Sequence, residues 1–102
     1  MRLGVKQELF AILFAEHIVW LYEEGYAVRL GDVFAHDGHR ENSNHYLKLA
    51  GDINLFKDGK YLTETEDHRE SGEKWESRHE FCRWGGRFKD GNHYSLRHNG
   101  RM

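Results

Sequence analysis

One uninterrupted run of helical periodicity near the start, followed only by short alternating segments, most constrains how this chain can fold. Over residues 5–24, Leu9, Phe10, Leu13, Phe14, His17, Trp20 and Leu21 fall on one broad face at helical spacing. Ile12, Ile18 and Val19 lie off that face, which predicts a helix buried on more than one side. Gly25 supplies the stop, because glycine takes the left-handed cap conformation without a Cβ clash. His17, set among apolar neighbours, reads as a core histidine. With 102 residues the chain has room for a single domain, 1–102, and not for two.

The remainder reads as short strands. Residues 27–34 alternate, with Val28 and Leu30 on one face and Arg29 on the other. A polar loop, 35–44, follows. Residues 49–56 form the clearest strand: Ile53 and Leu55 share one face, while Asp52 and Asn54 share the opposite, polar one. Lys57-Asp58-Gly59-Lys60 is a turn signal ahead of Tyr61-Leu62 and predicts a hairpin. The charged segment 66–80 reads as a short helix with a flanking loop, held down by Trp75. Residues 93–96 make a last strand, with His93 and Ser95 on one face and Tyr94 and Leu96 on the other. The pattern predicts an α+β fold, an N-terminal helix packed on a small, mainly antiparallel sheet with a short second helix.

Charge and cysteine usage exclude several roles. The 15 basic and 17 acidic residues are mixed along the chain and sum to -2, so no basic footprint for nucleic acid is present. Cys82 is the sole cysteine, which rules out an internal disulfide or a cysteine-based zinc finger. Flanked by Phe81 and Trp84, it reads as a packed thiol. The apolar stretch 9–15 is too short to span a bilayer and is broken by Glu16 and His17, with no small-residue cleavage site after it. No stable membrane insertion and no signal peptide are expected, and the chain is expected to be made in the cytoplasm.

The 8 histidines carry the chemistry. Asp52 and His93 come from the polar faces of two strands that can line one groove, and His45, at the end of the loop before the Asp52 strand, can fold back toward the same point. Two imidazoles, one carboxylate and an open fourth position make a catalytic type of zinc site. Asp90, three residues before His93 in a glycine-containing turn, is placed to act as general base and then acid. Rival sets exist. His36-Asp37-Gly38-His39 is either a second metal pair or a solvated turn, and two histidines with a carboxylate also form the facial triad of non-haem iron oxygenases. His68, His79 and His98 have no partner at convincing spacing and read as surface residues.

Ser43-Asn44-His45-Tyr46-Leu47-Lys48-Leu49-Ala50-Gly51-Asp52 resembles the first zinc motif of the D-alanyl-D-alanine carboxypeptidase and dipeptidase family, which includes phage L-alanyl-D-glutamate endopeptidases. That motif is S-x-H, six residues, then D; Lys48 stands where glycine is usual. Trp84-Gly85-Gly86-Arg87-Phe88-Lys89-Asp90-Gly91-Asn92-His93-Tyr94-Ser95-Leu96 resembles the family's closing motif, in which an acidic residue precedes the last histidine ligand and an aromatic follows it. The similarity runs from roughly residue 31 to 96.

The resemblance implies Zn²⁺ held by His45, Asp52 and His93 in a groove on the polar sheet face, with Asp90 as the catalytic acid/base. It implies an arginine upstream of the first motif that steadies the oxyanion or the substrate, for which Arg40 is the nearest candidate and Arg29 the second. The implied substrate is the stem peptide of peptidoglycan, cut between L-Ala and D-Glu as by an endolysin. A D-alanyl-D-alanine carboxypeptidase is the alternative bond specificity, and a non-catalytic zinc-containing binding or phage structural module is the alternative of another class. A monomer is expected. With no leader and no appended wall-binding domain, a phage or prophage lysin that reaches the cell wall through a membrane lesion is expected.

Overall fold

Helix α1 (Leu3–Glu23) forms where the helical pattern is strongest and buries one stripe: Lys6, Phe10, Leu13, Phe14, His17 and Leu21. The computed structural model describes residues 1–32 and 47–99. Burial on more than one side is not found: Ile12 and Val19 are 60% and 59% exposed. One sheet covers only one flank of a helix, a stripe of about 100° or more. At the end of α1, Gly25 takes φ 93, its N–H donates to the Tyr22 carbonyl at 3.1 Å, and the Tyr26 N–H donates to the Leu21 carbonyl at 3.0 Å. This is a Schellman cap, and it seats Tyr26 with Leu21 in the core. Near the other end, Lys6 is buried but paired: its Nζ donates to the Arg97 carbonyl at 3.0 Å and lies over the Phe81 ring.

Five strands follow: β1 (Ala27–Leu30), β2 (Ala50–Lys57), β3 (Lys60–Leu62), β4 (Cys82–Trp84) and β5 (His93–Leu96). All pairings are antiparallel, in the order β1-β2-β5-β4, with β3 also on β2. β1 ends at Leu30, before Gly31-Asp32, because both residue types are poor strand formers. Leu30 is 54% exposed and does not join Val28 in packing.

β2 has Ile53 and Leu55 fully buried, as the alternation predicts. β1 runs along one of its edges, and that contact is prolonged by the Asp52 N–H donating to the Asp32 carbonyl at 2.8 Å. The opposite edge is shared end to end: β5 lies against residues 50–52 and β3 against residues 55–57. Asn54 falls at the junction.

A 3₁₀ turn (Thr65–His68) leads into α2 (Arg69–Ser77). Trp75 is fully buried, and its indole N–H donates to the Ser95 carbonyl at 3.0 Å and the Arg83 carbonyl at 3.1 Å, pinning α2 across β5 and β4. Cys82 is a packed thiol, and burial pushes its pKa up to about 12. The architecture is α+β, an N-terminal helix on a small antiparallel sheet with a short second helix. Among the described residues no helix is long and apolar enough to cross a membrane.

Candidate metal centre

Two of the three predicted ligands come from neighbouring strands. Asp52 of β2 stands directly opposite His93 of β5, so both side chains leave the sheet on the same face, away from Ile53, Leu55 and Tyr94. Asp52 Oδ1 lies 3.7 Å from His93 Nδ1, and the two side chains are 17% and 6% exposed. Two donors on one tetrahedral zinc stand about 3.3 Å apart, given bonds of about 2.0–2.1 Å. A small side-chain rotation therefore brings this carboxylate oxygen and imidazole nitrogen to the spacing of a shared ion. The pair fits zinc as two of its ligands. His45, the third, lies outside the described residues, and among those described no three His, Cys, Asp or Glu side chains gather at one point.

Asp90 is tied to His93 through the backbone. After β4, a 3₁₀ turn (Gly85–Phe88) runs into Lys89, which takes the left-handed conformation at φ 64. The Asp90 N–H then donates to the Gly85 carbonyl at 2.9 Å, and the His93 N–H donates to the Asp90 carbonyl at 3.1 Å. A Cβ on Gly85 would run into that Asp90 carbonyl and into the His93 Cβ, so the turn closes only around glycine. The Trp84 indole N–H holds the far side by donating to the Gly91 carbonyl at 2.7 Å. The Asp90 side chain is exposed.

The other residues singled out in the sequence separate into four groups. Arg29 stands opposite Asn54, on the same sheet face as Asp52, but its guanidinium lies 4.6 Å from the Phe56 ring centroid, in the direction away from the Asp52–His93 pair. Asn54, on the same face, has its Oδ1 accepting from Asn92 Nδ2 at 3.1 Å and so braces the turn before β5. Arg40, Ser43, His36 and His39 lie outside the described residues. Lys48 is exposed and takes φ 59, the left-handed region where glycine is least strained.

Neither the models of known protein families nor the curated proteins contain a match to this chain.

His68 departs most from expectation. It is buried, not on the surface, and its Nδ1 lies 2.9 Å from the Tyr94 hydroxyl. The Tyr94 hydroxyl in turn shares a 2.8 Å hydrogen bond with Ser71 Oγ, Ser71 Oγ lies 2.9 Å from His17 Nε2, and Arg78 Nε donates to His17 Nδ1 at 2.9 Å. Desolvation holds both imidazoles neutral. Burial, aided by Arg78 and Lys74, lowers His17 to about 3, and burial lowers His68 to about 4. This buried polar chain crosses beneath β5 and ends at the wall of a cleft. The cleft, about 210 Å³, opens between residues 61–65 and 89–92, with Asp90 and His68 among its lining residues.

Proposed function

We propose that the chain is a zinc-dependent peptidase that cleaves peptidoglycan stem peptides, between L-Ala and D-Glu. The observation that carries this reading is the cross-strand Asp52–His93 pair at 3.7 Å, with Asp90 held three residues before His93 by a turn that requires Gly85. The resemblance of both motifs to the carboxypeptidase and dipeptidase family adds the substrate class and the third ligand.

His45, Asp52 and His93 would hold the metal. When bound, zinc supplies Lewis acidity that activates water and polarises the scissile carbonyl. The Asp90 carboxylate takes a proton from the attacking water and delivers it to the leaving amine nitrogen. Arg40 is the first candidate to balance charge that develops on the carbonyl oxygen, and Arg29, on the same sheet face, is the second. Burial of His93 restrains its ring, and Asp52 beside it keeps 17% of its side chain exposed.

The test is digestion of purified peptidoglycan, with fragments identified by mass spectrometry for wild type, Asp90→Ala and His45→Ala. New amino termini on D-Glu are expected from wild type alone. Release of single D-Ala residues would instead assign a carboxypeptidase. If wild type releases nothing beyond the two variants while binding one zinc per chain, the protein is a non-catalytic zinc module.

A further inference from the structure

The cleft between residues 61–65 and 89–92 is joined to the candidate metal centre by the chain itself. Asn54, on its floor, is two residues beyond Asp52 on the same strand face, about 7 Å away. Asp90 and Asn92, on its wall, lead directly into His93. The cleft is too small for a whole ligand, since such pockets run to about 300–1,000 Å³, but it suits one side-chain end.

Its walls are polar and carry both signs of charge. Lys89 supplies an ammonium, Glu64 and Asp90 supply carboxylates, and Thr63 and Thr65 add hydroxyls. The carboxylate of Glu64 accepts one backbone N–H, that of Asp67, and keeps further acceptor capacity. Nearby surface charges are already paired, Arg87 with Glu76 and Arg69 with Glu66, each at 2.7 Å. Lys89 also holds a left-handed backbone in a stretch that uses glycine at 85, 86 and 91, so a cation stands where glycine would be less strained. A lone ammonium would find Glu64 and Asp90 but leave Lys89 unanswered, and a lone carboxylate would find Lys89 alone. Only a group with both charges answers both signs in the cleft.

We infer that this cleft receives a free α-amino-acid end of the substrate, its carboxylate on Lys89 and its ammonium on Glu64. Within the peptidase reading, on which the substrate assignment rests, that end belongs to a diamino acid in the stem whose second amino-acid terminus is not cross-linked.

Two measurements test it. In the first, backbone amide resonances of the 102-residue chain, with and without zinc, are followed on titration with meso-diaminopimelic acid, cadaverine or pimelic acid. Shifts confined to residues 61–65 and 89–92 are expected with diaminopimelic acid, at least about tenfold weaker with the other two, and unchanged by zinc. They are expected to vanish in Lys89→Asn, which tolerates the left-handed backbone, and to persist in Lys89→Arg. Equal binding of all three compounds, shifts seen only with zinc, or full binding by Lys89→Asn overturns the inference.

In the second, zinc-loaded protein is given stem tetrapeptides with diaminopimelic acid or lysine at the third position. A preference of about tenfold for the former, carried by KM and lost in Lys89→Asn, is expected. Equal cleavage of both peptides by wild type also overturns the inference. Failure to cut either peptide sinks the peptidase reading, while the resonance experiment still decides the cleft.

Discussion

At the scale of single residues, the buried polar groups set how the protein responds to acid. His17 and His68 are bases whose folded-state pKa values, about 3 and about 4, lie below the ordinary 6.5. Below pH 6.5 the unfolded chain therefore binds protons that the folded chain refuses, and stability falls as pH drops from about 6.5 toward 4. Urea unfolding at pH 7.5, 6.5, 5.5 and 5.0 is expected to give steadily falling midpoints before most carboxylates begin to titrate. A flat profile over that window would mean that the two imidazoles are not buried as described. Ser95 offers a test of opposite sign. Its Oγ is fully buried without a hydrogen-bond partner among the described residues, so Ser95→Ala is expected to raise stability by about 0.5–1 kcal/mol in the same assay. His68 could not be read from the sequence because its neighbours, Asp67 and Arg69, are both exposed and charged. Only the 3₁₀ turn, which aims its ring at Tyr94, makes it a core residue.

At the scale of elements, caps and alternation were readable, whereas the number of buried faces was not. Gly25 marks the end of α1 in the sequence and ends it in the fold, since the left-handed residue of a Schellman cap has no room for an unstrained side chain. Gly25→Ala is expected to cost about 1 kcal/mol, read as a melting temperature lower by roughly 5 °C. A melting temperature unchanged within 1 °C, a resolution of roughly 0.2 kcal/mol, would count against that cap. β2 was legible because Ile53 and Leu55 alternate strictly with Asp52 and Asn54. Ile12 and Val19 misled because apolar residues on a helix signal burial only if a second layer is there to cover them. β4, with only three residues, is too short to leave a period.

At the scale of the whole molecule, an ion at the candidate centre would couple binding to folding. If Asp52, His93 and His45 share an ion, that ion binds the native chain and not the unfolded one, and stability rises with its free concentration. Zinc at about a thousand times its dissociation constant is expected to add about 4 kcal/mol, seen as a higher melting temperature that EDTA reverses. His93→Ala is expected to melt at one temperature with or without zinc. An identical zinc response in wild type and His93→Ala would place the ion elsewhere. Strand parity in the sequence put Asp52 and His93 on polar faces, but the direct opposition of the two residues depends on β5 choosing β2 as its neighbour. No local pattern encodes that choice.

The pairing of Asp52 with His93 has a consequence for errors in folding. Side chains on a strand alternate between faces, so if β2 were to slip by a single residue, Asp52 would be driven under the helices and Ile53 turned out to water. The chain that mispairs here loses the Asp52–His93 pair and its oily interior together, which leaves it conspicuous to proteases; a well-folded molecule that merely lacks the pair is not among the products this sequence can make by slippage.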